Sequence, residues 1–312
     1  MPRQAFFFAT RVSIIGTSRQ HCAQSRMSIL EKPLASAEAY VGFLAARELP
    51  VLRQTARQLE VMREARDSVN ARQVAAIALG DPLFAVRLIV WMEEHRHRSQ
   101  NHDITTVERA IMMIGVDPFF EAFTGLPTVE ETLAGRPRAL IETLHVCAWA
   151  RKAAHLARDW AILRHDIDVD EVALATLLRP VSEILLWIHA SPLAEQTQAR
   201  VAGESGSAIA HAYRAVLGCS EHQIQIGLAQ HWHLPQLLVT LMDETHENNP
   251  RVRNVALALA FARATGHAGW DSPTLPGIVD DLVRLLPINR GQLLDRLGVP
   301  AEVRERWDSA DD

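Results

Sequence analysis

Residues 171–189 read Glu-Val-Ala-Leu-Ala-Thr-Leu-Leu-Arg-Pro-Val-Ser-Glu-Ile-Leu-Leu-Trp-Ile-His, and the reading of this stretch decides the fold class. Val181, Ile184, Leu185 and Ile188 recur at i, i+3, i+4 and i+7, the period of one helical face. Leu177, Leu178, Leu186 and Trp187 widen that stripe until little polar surface is left. A helix that is apolar nearly all round must be covered on every side, so 171–189 is predicted to be a single helix at the buried centre of an all-α chain. Outward from it, apolar residues recur at helical spacing from Pro33 onward and almost nowhere alternate strictly, and runs of Val, Ile and Thr are few.

Start and stop signals divide this periodicity. Asp81-Pro82 is an N-cap followed by proline at the first helical position, with Gly80 closing the helix before it. Thr105 with Glu108, Ser220 with Gln223 and Asn289 with Gln292 have capping-box spacing, in which the cap oxygen and the third side chain satisfy each other's free amides. Helices are predicted at 36–46, 50–65, 71–79, 82–96, 106–114, 118–124, 137–160, 171–189, 193–201, 207–217, 221–233, 236–246, 251–265, 275–285, 290–297 and 301–307. A stretch rich in Thr, Gly and Pro from Pro127 to Pro137 is read as a seam between an N-terminal helical half, 31–130, and a C-terminal half, 136–308. Residues 1–30 are read as an extension. Within it, 1–26 carry Arg3, Arg11, Arg19 and Arg26 and no acid, which fits a targeting presequence or a poor secretory signal, an upstream extension without a packing partner, or a start site placed too early with Met27 the true one.

Composition limits the function classes. The chain of 312 residues is 48% apolar, enough for sizeable cores and too much for a disordered protein. Its 32 Lys and Arg against 37 Asp and Glu give a net charge of −5, and the basic residues are scattered, which argues against a nucleic-acid binder. Cys22, Cys147 and Cys219 are too few and too distant for a disulfide framework or a cysteine-rich zinc site. Charged residues interrupt every apolar run before about 18 residues, so no membrane span is expected and the cytoplasm is the expected location.

Several short motifs arrive in a telling order. Leu49-Pro50-Val51-Leu52, Gly80-Asp81-Pro82-Leu83-Phe84 and Ile104-Thr105-Thr106-Val107-Glu108-Arg109-Ala110-Ile111 ending at Gly115 are followed much later by Leu217-Gly218, Ser220, His222, Ile226, Gly227, Trp232 and Leu234-Pro235. Over residues 34 to 270 this pattern resembles the HDOD domain family, helical relatives of the HD phosphohydrolases. The resemblance implies a multi-helix HD-like bundle and a role in signal transduction. The related enzymes hold their metal with a first His, an adjacent His-Asp pair closing an apolar helical run, and a later Asp, because imidazoles and carboxylates together bind a divalent ion and leave a place for the attacking water.

Carried onto this chain, the resemblance places the first His at His145. The pair falls on Arg179-Pro180 in Leu177-Leu178-Arg179-Pro180-Val181-Ser182, and the last Asp falls near Leu259. Arginine is a permanent cation and proline has no ligand atom in its side chain. Three of the four positions therefore lack a ligand, and no residue is assigned as catalytic or metal-binding. His222, Trp232 and His246 are read as structural or partner-facing.

Other constellations are set aside. His165-Asp166 and His102-Asp103 sit in polar, loop-like surroundings. Asp166, Asp168 and Asp170 begin like a calcium loop, but Glu171 and Leu177 stand where that loop needs Gly and Glu, so they read as a solvated acidic loop capping the next helix. His95 with His97 and His231 with His233 lie two apart, on opposing helical sides. Gly203-Glu204-Ser205-Gly206-Ser207 lacks the nucleophile-elbow spacing, and Arg87 to Arg98 reads as a solvated helix face. No phosphate-cradling or dinucleotide-binding glycine motif occurs, and no cofactor is expected.

The sequence thus leads to a stand-alone, non-catalytic HDOD-like regulatory module that acts through protein contacts with a signalling partner in trans. Two other readings remain open at this point: a metal-dependent phosphohydrolase in which His189, His211 or Asp243 joins His145, and a nucleic-acid-binding regulator whose basic face only the fold could assemble.

Overall fold

The computed structural model describes residues 29–95, 106–201 and 206–308. Residues 1–26, Arg96, His97, Arg98, the dipeptide His102-Asp103, the cap residue Thr105 and Gly203 to Ser205 lie outside the described residues, as does Cys22.

The fold is all-α, with no strand among the described residues. The first part comprises α1 (Ala37–Ala45), α2 (Arg53–Glu64), α3 (Ala71–Ala78), α4 (Pro82–His95), α5 (Val107–Ile114), α6 (Val116–Ala122) and a short α7 (Val129–Thr132). There follow α8 (Pro137–Leu163), α9 (Val169–Leu178), α10 (Val181–His189), α11 (Ser191–Val201), α12 (Gly206–Leu217), α13 (Glu221–His231) and α14 (Gln236–Met242). The chain closes with α15 (Pro250–Ala268), α16 (Leu275–Leu285), α17 (Arg290–Leu297) and α18 (Ala301–Asp308).

The caps explain many of these boundaries. Asp81 is fully buried; its Oδ1 accepts from the amides of Leu83 and Phe84 at the start of α4, and its Oδ2 accepts from Leu52 N at 2.8 Å, tying α4 to the entry of α2. Ser220/Gln223 and Asn289/Gln292 form complete capping boxes at α13 and α17. The α5 cap is Thr106, whose hydroxyl accepts from Arg109 N.

The long helix α8 is the spine. It packs along both α9 and α15, and α14 and α4 close over α9. The predicted single helix over 171–189 is two helices, because Pro180 has no amide hydrogen to donate and its ring excludes the carbonyl one turn earlier. By length and composition Val169–His189 could cross a membrane, yet 94% of its most apolar window is buried inside the protein.

Two further readings are corrected, the solvated face at Arg87 and the helix over 236–246. The Pro127 to Pro137 stretch contains α7, capped by a Thr128/Glu131 box, and is bound to the first part by a backbone bridge in which Val51 N donates to Pro127 O and Val129 N donates to Val51 O. Arg87 is not on a solvated face: it is 2% exposed, donates to the Leu49 carbonyl and lies 3.7 Å from Glu48. Its guanidinium closes the Leu49-Pro50 turn from inside. The predicted helix over 236–246 ends at Met242, and Glu244–His246 form a 3₁₀ turn.

Aromatic side chains fix each end of the core. Phe84, Phe119, Phe123 and Trp91 meet edge to face in the first part, and Trp160, Phe261, Trp270 and Trp307 form an edge-to-face chain across α8, α15 and α18.

Candidate functional site

The break between α9 and α10 falls at Arg179-Pro180, where the sequence resemblance implies the His-Asp pair of the HD phosphohydrolases. In an unbroken helix Ser182 N would donate to Leu178 O. Here the buried amide of Gln225 on α13 is inserted between them, accepting from Ser182 N at 2.9 Å and donating to Leu178 O at 3.1 Å. Both backbone groups are therefore satisfied by one side chain, which the sequence reading did not single out. Its one sequence signal is a polar residue between Ile224 and Ile226 in an otherwise well-patterned helix.

Arg179, freed at the break, binds two carboxylates: its guanidinium reaches Glu221 at 2.9 Å and Glu244 at 2.7 Å. Ser182 Oγ donates to Glu221 from the other side. Burial pushes the Arg179 pKa down, but the two carboxylates outweigh it and leave the pKa above the ordinary arginine value. Burial likewise pushes the Glu221 carboxyl up, and Arg179 with the Ser182 hydrogen bond holds it below the usual carboxylate range. Where a metal would gather carboxylates, this chain supplies a covalently attached cation.

The other three positions do not complete a metal site. His145, on α8, is largely exposed and lies 3.8 Å from Glu142. Pro180 offers no side-chain donor, and Leu259 on α15 packs against the apolar core. His189 is buried beside the charges of Arg47 and Arg136, His211 is exposed on α12, and Asp243 is held by His222 and His246. None of these three is brought together with His145, and no group of three or more His, Cys, Asp or Glu among the described residues could hold a metal ion. The residues present do not fit the ion of the related enzymes.

His222 and His246, distant in sequence, share one carboxylate. His222 Nε2 is 3.2 Å from Asp243 Oδ1 and His246 Nδ1 is 3.4 Å from Oδ2, while Thr245 N and Oγ1 both donate to Oδ1. His246 is exposed and His222 half-buried, so this bridge lies at the surface beside the Arg179 cluster, joined to it through the neighbouring Glu244. Trp232 is 4% exposed and belongs to the core. The loop acids are ion-paired: Asp166 to Arg164, Asp168 to Arg251 and Asp170 to Arg158. Asp168 stands at the α9 N-cap but makes no side-chain capping bond there.

On the α8 face that carries His145 a cavity of about 960 Å³ opens between α8, α10, α11, α12, α15 and α16. Its walls include Trp149, Leu186, Trp187, Tyr213 and Leu217, with Glu142, His145 and His267 among its polar lining. In its wall Arg263 pairs with Glu183 and lies 4.7 Å over the Trp149 ring.

The comparisons with known proteins agree with this architecture. The family model described as HDOD domain matches residues 49–248. Among solved structures, the chain is similar to a virulence factor from Campylobacter jejuni subsp. jejuni, with a TM-score of 0.60 and 17% identity, covering 87% of this chain and 95% of that one. It is also similar to the MmoQ response regulator of Methylococcus capsulatus strain Bath, with a TM-score of 0.56 and 17% identity, covering 78% of this chain and 99% of that one. At such identities the likeness is one of fold. No curated protein sequence matches the chain.

Proposed function

The chain belongs to the HDOD domain family, and we propose that it is a catalytically silent signal-transduction module of the cytosol, acting by contact with a signalling protein in trans. The observation that carries this reading is Arg179. Its guanidinium stands where the family resemblance implies a metal-binding imidazole and is already paired with Glu221 and Glu244, so a divalent ion brought there would meet a fixed positive charge and carboxylates already engaged. The description of one structural neighbour as a response regulator is in keeping with a regulatory role.

The test is elemental analysis of protein purified without chelator, combined with an activity screen on phosphodiesters and nucleotides with added manganese or iron. The expected result is no stoichiometric metal and no turnover. One equivalent of metal that disappears in His145→Ala, with a matching loss of turnover, would overturn the reading and restore the phosphohydrolase alternative.

A further inference from the structure

The cavity against α8 is large enough for a small organic molecule, and pockets of this kind, apolar with a few convergent polar groups, are where such ligands bind. Trp187, Tyr213 and Leu217 are buried side chains that present part of their surface to it. Its charged lining groups are unevenly committed. Arg263 is paired with Glu183 and covers the Trp149 ring; Arg138 lies 3.5 Å from Glu195 and donates to Gln198. Both cations are therefore occupied, as is the carboxylate of Glu183. Glu142 differs: its ion-pair partner is His145, at 3.8 Å, the His267 imidazole is also in its electrostatic reach, and it has no Lys or Arg partner among the described residues. An anionic ligand would have to displace an existing ion pair, whereas a cationic one would complete Glu142 and find aromatic faces beside it.

We propose that this cavity is a binding site for a small amphipathic cation, with an apolar body held among Trp149, Trp187, Tyr213 and Leu217 and a protonated amine against Glu142. None of Arg179, Glu221 and Glu244 lines the site, and its wall meets that cluster through the Glu183–Arg263 pair, which lies in electrostatic reach of Arg179 and Glu221. It gives the module a place to receive a chemical signal.

The test uses the full-length protein and three probes with similar bodies: 4-phenylbutylammonium, 4-phenylbutanol and 5-phenylvalerate. Binding is read by calorimetry and by the fluorescence of Trp149 and Trp187. The ammonium should bind about tenfold more tightly than the alcohol, the difference of one charge-assisted hydrogen bond, and the carboxylate most weakly. Glu142→Gln should bring the ammonium to the alcohol's affinity, and Ala264→Phe, which fills the cavity, should weaken all three. Failure of all probes to bind the folded protein, equal or tighter binding of the carboxylate, or an amine preference that survives Glu142→Gln would overturn the proposal. Because no partner protein enters the measurement, its failure leaves the reading of partner contact untouched.

Discussion

At Gly227 a Cβ atom would lie 2.6 Å from Val41 Cγ2, so α1 and α13 touch there through the absence of a side chain. Val41 is β-branched and cannot swing aside without leaving its rotamer. Gly227→Ala is therefore expected to destabilise the protein by about 1–3 kcal/mol, the usual cost of overpacking. A double-mutant cycle with Val41→Ala, measured by urea unfolding, should recover part of that loss, since the second change removes the obstructing methyls. A neutral Gly227→Ala would show that the helices do not cross this closely. The glycine was legible in the sequence as the end of a motif that resembles the family's, but its reason was not, because Val41 is far away in the chain.

Among the elements, the α9–α10 pair teaches most. Periodicity alone predicts one helix through 171–189, and the apolar pattern does continue on both sides; the local rule that proline breaks a helix wins at Pro180. What the pattern could not supply is the partner for the two backbone groups exposed by the break. Gln225 supplies it from another helix. Gln225→Leu should leave a buried amide and a buried carbonyl unpaired, at a cost of roughly 1–3 kcal/mol each. The same substitution at the exposed Gln230 is expected to stay within about 0.5 kcal/mol. Chemical denaturation of both variants checks this, and equal small losses would show that the break is satisfied in some other way.

Across the whole molecule, one buried histidine should shape stability against pH. Burial lowers the His189 pKa from 6.5 to about 3, and the neighbouring charges of Arg47 and Arg136 add to the effect. The folded protein thus keeps His189 neutral while the unfolded chain takes up a proton below pH 6.5. Stability is unaffected by this group above that pH and falls as the pH drops from 6.5 towards 3. By pH 5 the loss from His189 alone is about 2 kcal/mol. Urea melts at pH 7.5 and pH 5 should show wild type losing more than His189→Leu by that amount; equal losses would mean that the imidazole is protonated in the folded state. The measured interval, pH 7.5 to 5, lies above the ordinary carboxylate range, so Glu221, whose pKa is lowered, contributes its own loss only at more acid pH.

The sequence by itself determined the helical class and most helix boundaries, because these rest on local rules, periodicity and caps; that Arg179, Pro180 and Leu259 are substitutions at ligand positions is what the family resemblance implies. Only the tertiary structure decided what those substitutions became. Arg179 reads in sequence as a charge out of place, and in the fold it is a buried guanidinium at the centre of a cluster whose carboxylates come from the start of α13 and the exposed turn after α14. The solvated face expected around Arg87 gave way at Arg87 itself to a buried guanidinium, since nothing local shows that the Leu49 carbonyl lies opposite it. The cavity, too, is built from six helices, and no one of them carries its signal. A charge or a void is defined by what surrounds it, and those surroundings are assembled from segments that the chain brings together only on folding.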